Sequence, residues 1–483
     1  MNSKIKYILA AAIFLLIHLN IFYVQGESLV KKISDRPRII VTTDGEIDDC
    51  ASMVRFLLFS NEFDIEGIVN SSSEFHWVGG TGWNAFHPVS WIKEYIEKYA
   101  EVYPNLIQHD TRYPSPEFLL SKWKVGNISA AGEYKEKTEG ARLIADVLLD
   151  TTDSRPVWIQ AWGGCNTIAA ALKMIQEEHP EKMQEVADKL RLFLIWEQDD
   201  SYQEYIRPHW ESLNPQVIIS DQFDCMAYIW YKVLPADVRT YFNKEWISTY
   251  ITQGHGPLCE AYPTNEGAFN AEGDTPAYLH NISTGLRNME LPSNGGWGGR
   301  YVLIRNNVWM DPRPTTKDSY PTGKRGIQNS WSKAMENYTD SAQVAIRNRY
   351  FKPLWRWMKD IQNDFAARAD WCVKDYAAAN HHPQVILKNT PLDQTVKAGE
   401  EVKLDASKSK DPDGDKLQFH WWMYQEAGTY TGTWGLDEYK ARIRFRVPSD
   451  AREGDKIHLI CEVTDNGTPS LTRYQRVILT VIR

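Results

Sequence analysis

The chain has 483 residues, enough for two or three domains with sizeable cores. A formal net charge of -9 and the lack of any basic cluster argue against a nucleic-acid backbone as partner. The 19 Trp and 24 Tyr are unusually many, but aromatic faces stack on sugars and fill cores alike, so composition leaves those two uses even.

Lys4 and Lys6 precede an apolar run from Tyr7 to Val24, with a small-residue exit near Gly26. His18 and Asn20 interrupt the run and no basic stop-transfer cluster follows at once, so residues 1–26 read as a cleaved signal peptide. The expectation is a secreted or periplasmic protein with no stable membrane anchor. No Cys precedes Cys50, which excludes a lipidated cysteine at the cleavage site. The six cysteines are scattered without paired spacing, and Cys50 and Cys165 are expected to pack as small apolar residues.

Arg38 to Thr43 reads as a fully buried strand, and the segment after Asp49 has helical periodicity. Between them stand Asp44, Glu46, Asp48 and Asp49. That much like charge in one turn is unfavourable unless a cation neutralises it, and carboxylate oxygens suit Ca²⁺ or Mg²⁺. The alternative is an acidic helix start that complements the helix dipole. Ligands of open α/β sheets bind beyond the carboxyl ends of the strands, which favours the metal site.

Asp44-Gly45-Glu46-Ile47-Asp48-Asp49 resembles the aspartate cluster that opens nucleoside hydrolases, Asp-x-Asp-Pro-Gly-x-Asp-Asp, which binds Ca²⁺. Asp44, Asp48 and Asp49 match the last three aspartates; Thr42 replaces the first, and Gly45-Glu46 the Pro-Gly pair. The chain most resembles the exported branch of that family that includes a cellulose-binding protein and carries a C-terminal Ig-like domain.

Asp64 to Asn70 reads as the second strand of a βαβ unit. It runs into Ser73, Glu74 and His76, where the resemblance implies polar groups for a sugar; a plain Gly-rich loop is the other reading. Trp91 to Tyr99 and Gly140 to Leu149 read as amphipathic helices. Val157 to Ala161 is a buried strand that ends in Trp162-Gly163-Gly164-Cys165-Asn166, an Asn-capped turn into an apolar helix. The resemblance makes Asn166 the residue whose backbone carbonyl binds the metal. Arg191 to Trp196 is a further strand, ending in Glu197-Gln198-Asp199-Asp200. By resemblance Gln198, Asp199 and Asp200 would hold substrate hydroxyls, although the Glu-Phe-Asn of true nucleoside hydrolases is missing.

Gln216 to Ser220 reads as one more strand, and Gly267 to Gly299 as a long irregular stretch of the kind that is often functional. Asp274 is the counterpart of the family's late metal-binding aspartate, with Gly273 where a histidine usually assists the leaving base. Trp297, between glycine pairs, reads as a sugar-stacking lid or as a plug in a rigid turn. Helical periodicity returns from Asn329 to about Ala378, and a polar linker follows at Asn380 to Pro383. From Val385 onward alternating strands predict an all-β sandwich that folds alone and takes no part in chemistry. Asp411, Asp413 and Asp415 read as a plain turn rather than as a second Ca²⁺ site.

The expected architecture is therefore a doubly wound, mainly parallel α/β domain at residues 35–378 and a small Ig-like β-sandwich at 384–483. The expected function is hydrolysis of a glycosidic or N-ribosidic bond of a furanosyl or related sugar through a Ca²⁺-bound water. Asp44, Asp49, Asn166 and Asp274 would hold the metal, with Asp44 as base. Asp48, Glu74, His76, Gln198, Asp199, Asp200 and Trp297 would contact a small sugar, a nucleoside or a polysaccharide-derived substrate. A carbohydrate-binding protein without turnover is the rival, and a homo-oligomer is left open.

Overall fold

A computed structural model describes residues 35–320 and 330–483. The signal peptide expected at 1–26 lies outside the described residues. Among those described, no helix is long and apolar enough to cross a membrane.

The first half is built from β1 (Arg38–Thr43), α1 (Ile47–Leu58), β2 (Asp64–Asn70), α2 (Trp91–His109), β3 (Trp123–Val125), α3 (Glu139–Leu149), β4 (Val157–Ala161), α4 (Asn166–Glu178), β5 (Leu190–Ile195) and β6 (Gln216–Ser220). A short helix α5 (Thr275–Leu279) precedes β7 (Val302–Arg305) and β8 (Val308–Met310). The sheet order is β3-β2-β1-β4-β5-β6-β8-β7, parallel except for the antiparallel β8–β7 pair at one edge.

Alternation along the strands explains why both faces are covered. Ile39, Val41, Trp158, Phe193 and Ile218 point into one core with α1 and α2. Ile40, Ile159, Leu192, Leu194 and Val217 point into the other with α3 and α4. This is the buried-on-both-faces signature of a doubly wound parallel sheet. Chain order reverses between β1 and β4, so the crevice outside their carboxyl ends is the switch point where such sheets take ligands.

The helical stretch after 329 is three helices, α6 (Trp331–Met335), α7 (Ser341–Trp355) and α8 (Met358–Trp371). Asp340 caps α7 by accepting from the Ala342 and Gln343 amides, each at 3.0 Å. The helix read as ending at Tyr99 continues to His109 with Pro104 inside it.

The C-terminal strands are β9 (Asp393–Lys397), β10 (Glu401–Asp405), β11 (Gln418–Met423), β12 (Asp437–Glu438), β13 (Arg442–Arg446), β14 (Lys456–Thr464) and β15 (Thr472–Ile482). They form a five-stranded sheet, β9-β15-β14-β11-β12, and a two-stranded sheet, β10-β13. Val402, Leu404 and Ile443 from the small sheet share one core with Trp421, Leu459, Cys461 and Val477 from the large one. Asp411 accepts the amides of Asp413 and Asp415.

The expectation that this region is self-contained is revised. Tyr424, Ile460 and Tyr474 belong to the same apolar cluster as Trp357 and Leu286 of the α/β part. Arg476 is fully buried and donates to the carbonyls of Leu286, at 2.6 Å, and Gly295, at 3.0 Å. A buried guanidinium satisfied by another segment's backbone ties the two regions together.

Candidate active site at the switch point

Gly45, at φ +76°, turns the chain out of β1, a left-handed conformation that favours glycine. Asp49 then caps the turn: its carboxylate accepts from the Glu46 amide at 3.2 Å and from the Thr43 hydroxyl. On the neighbouring strand end, Gly163 leaves room for Asp44, since a Cβ there would lie 2.8 Å from the Asp44 Cβ. Gly164 likewise admits Asp199 and the Ser72 carbonyl.

Carboxylate oxygens of Asp48, Asp49 and Asp274 lie within 4.8 Å of one another. Asp44 and Asp274 are each 1 % exposed, and each keeps a buried Oδ2 that no donor reaches. Burial, reinforced by neighbouring carboxylates, pushes Asp44 and Asp48 up to about 7 and Glu46 up to about 8. The same causes push Asp49 and Asp274 well above the usual carboxylate range. So crowded a set cannot be fully ionised without a counter-charge, and its orphaned oxygens fit a hard cation.

In front of the cluster lies a cavity of about 280 Å³. Glu46, Asp48 and Asp49 form its acidic side, and Phe75, Trp83, Trp162, Trp196 and Phe223 much of its aromatic wall. Tyr228 donates to Glu46 at 2.6 Å and to Asp48 at 3.3 Å. Asp224 and Lys333 line the cavity too, and Ser332 donates to Asp224 at 3.0 Å. Trp83 is 67 % exposed, an aromatic ring left open to solvent beside the cavity.

The residues expected from sequence fall into three groups. Asp44, Asp48, Asp49 and Asp274 converge. His76 and Glu74 stand beside them: His76 Nδ1 is 3.7 Å from Glu46, its ring edge meets Trp83, and burial lowers its pKa. The Glu74 amide donates to the Gln198 carbonyl at 2.7 Å, joining the ends of β2 and β5. The third group is bound up in the scaffold. The Gln198 side chain lines the cavity, but its amide donates to the carbonyls of Trp162 and Ile195. Asp199 accepts from the Ser201 amide and hydroxyl and from the Asn166 amide, which pins the start of α4. Asp200 follows it, half-buried, at the turn into the next helical segment. The Asn166 side chain donates to Ser72 Oγ at 2.9 Å and to the Asn127 carbonyl at 2.7 Å. Trp297 is 1 % exposed and lies under the Arg473 guanidinium, 5.4 Å from its ring centroid, which fits the plug rather than the lid.

Sequence reasoning missed Tyr228, Trp196, Phe223, Asp224 and Lys333 as site residues. They come from the turn after β5, the loop after β6 and from α6, and no local motif marks them.

Residues 38–301 match the family model described as the cellulose-binding Sde182, nucleoside hydrolase-like domain, and 401–481 the C-terminal domain of cellulose-binding protein Sde0182. The chain belongs to this nucleoside hydrolase-like, cellulose-binding family. It is similar to a solved nucleoside hydrolase-related hypothetical protein from Saccharophagus degradans associated with carbohydrate metabolism. That match is 31 % identical, covers 92 % of this chain and 100 % of the other, and has a TM-score of 0.72. An inosine-uridine preferring nucleoside hydrolase from Bacillus anthracis aligns at 13 % identity, over 50 % of this chain and 81 % of the other, with a TM-score of 0.28, too low to inform function. No curated protein matches.

Proposed function

We propose that the chain is an exported, Ca²⁺-dependent hydrolase acting on a glycosyl bond of a furanosyl or related sugar. The observation that carries this reading is the convergence of Asp48, Asp49 and Asp274 at an aromatic-walled cavity on the switch point. Asp44, Asp48, Asp49 and Asp274 would hold the cation, with the Asn166 carbonyl as a backbone ligand. Bound there, the cation would neutralise the carboxylates and polarise a nucleophilic water.

The chain's own groups would do the rest. Asp44 keeps one oxygen free of donors, so it can accept a proton. Asp48, steadied by Tyr228, would accept sugar hydroxyls. Trp83, Phe75 and Phe223 would hold the ring faces and exclude water, and the acidic wall would favour an oxocarbenium-like transition state.

Carbohydrate binding without turnover is the second reading, and Gly273 favours it. A Cβ there would lie 2.5 Å from Asp48 Oδ2 and 3.3 Å from the Phe223 ring, so this position leaves no room for a leaving-group side chain. A panel of nitrophenyl furanosides, nucleosides and oligosaccharides, assayed with Ca²⁺ and with EGTA, separates the two. Calcium-dependent release of reducing sugar supports the hydrolase; retention on polysaccharide with no release from any substrate supports the binder.

A further inference from the structure

A second cavity, of about 480 Å³, lies on the seam between the α/β part and the C-terminal strands and shares no lining residue with the acidic one. Tyr241, Trp246 and Tyr250 line it, all half-buried, with one side packed against the main core and the other left to the cavity. Their rings run in series, with centroids 5.9 Å apart for Tyr241–Trp246 and 5.2 Å for Trp246–Tyr250. Trp246 and Tyr250 are four residues apart, on one face of a helix that widens into a π turn at Ser248–Thr252. Such turns are rare and are frequent at functional sites.

The mount is rigid. The Tyr241 carbonyl accepts from Gln362 at 3.0 Å, and Gln362 in turn accepts from the buried Arg55, which is paired with Glu272. Across the groove Asn363 donates to the Ser470 carbonyl at 3.0 Å. Lys359 lines this cavity and also an adjoining one of about 310 Å³ that contains Arg356 and Trp422, so the groove runs on along the seam. Lys359 is exposed and makes no hydrogen bond or ion pair among the described residues.

A strip of half-exposed rings edged by amide, hydroxyl and ammonium groups is the chemistry that takes pyranose rings: apolar faces stack, and equatorial hydroxyls meet the polar rim. A protein partner would call for a continuous apolar centre, which these polar groups interrupt. We propose that this seam groove is a glycan-binding site separate from the acidic cavity, and that it takes an uncharged β-linked glucan chain, in keeping with the family's description.

This inference does not depend on hydrolysis, and the test keeps the two apart. The probes are microcrystalline cellulose for pull-down and hydroxyethyl cellulose for affinity electrophoresis, applied to the full chain with Ca²⁺ and with EGTA. Retention should persist in EGTA. It should fall about ten-fold in Trp246→Ala/Tyr250→Ala, with the native fold retained by circular dichroism. If that double variant misfolds, Tyr250→Ser and Lys359→Ala replace it, each with an expected loss of a few-fold. No retention of the wild type, wild-type retention in the groove variants, or loss on chelation would each overturn the proposal. So would a concentration-dependent dimer that the groove substitutions abolish, since the face would then belong to a second copy.

Discussion

Asp44 carries the most weight among single residues. Its carboxyl, like that of Asp48, is held at about 7 in the folded chain, mainly by burial, against an ordinary 3.8. An acid whose pKa is raised on folding takes up a proton as the chain folds. The cation-free protein should therefore lose stability as pH climbs from near 3.8 to about 7, and a bound cation should restore what is lost. The melting-temperature gain on adding Ca²⁺ should thus be larger near pH 7.5 than near pH 5. Asp44→Asn should shrink that gain and lower any turnover by about 10²–10⁴-fold while leaving the fold intact. Differential scanning fluorimetry at both pH values, with and without chelator, checks this; an equal gain at both would count against it. The acids were legible in the sequence because they crowd one turn, and Asp274 because the resemblance placed it. Asp199 and Trp297 misled because an acid that caps a helix and one that grips a sugar look alike in sequence, as do a Trp that plugs a turn and one that stacks.

Among elements, the cavity wall depends on a segment far from the sheet in sequence. Asp221, just after β6, accepts from Trp196 Nε1 at 2.7 Å, the Ser332 amide at 2.9 Å and the Tyr350 hydroxyl at 2.6 Å. One buried carboxylate thus fastens α6 and α7 beside the site and places Lys333 and Trp196 on the wall. Asp221→Ala should cost about 2 kcal/mol, because the Trp196, Tyr350, Ser330 and Ser332 donors lose their acceptor. A urea midpoint unchanged from wild type would show that the anchor is dispensable. At the strand ends, Gly164→Ala should destabilise by about 1–3 kcal/mol, since its Cβ would press on the Ser72 carbonyl, 2.5 Å away, and on Asp199. Chemical denaturation measures this, and a neutral result would mean that the two strand ends part easily. The central parallel strands β1, β2, β4, β5 and β6 were readable as apolar runs, whereas the three-residue parallel edge strand β3 was not. The antiparallel edge pair β7–β8 and the two-residue β12 were not, because short edge strands lack a period long enough to recognise.

At the scale of the whole molecule, the two regions share a seam of buried rings and paired charges. Trp357 meets Tyr474 at 5.2 Å between centroids, and Arg473 pairs with the buried Asp364 at 3.0 Å. Truncation after Pro383 would expose Trp357 and Trp297 and leave Asp364 without Arg473. The fragment should melt well below the full chain and bind a hydrophobic dye; an unchanged melting temperature would restore the independent-module view. The change from helices to strands after residue 380 was visible as a change of period, but the seam was not, because contacts this distant leave no local pattern. The proposed chemistry of this chain rests on the cation site at the β1–β4 switch point. Its most direct test is calorimetric titration of Ca²⁺ into EGTA-stripped, dialysed full chain and into Asp49→Asn and Asp274→Asn. One saturable site in the wild type, weakened at least ten-fold in both variants, is the predicted result. No binding in the wild type, or equal affinity in all three proteins, would contradict it.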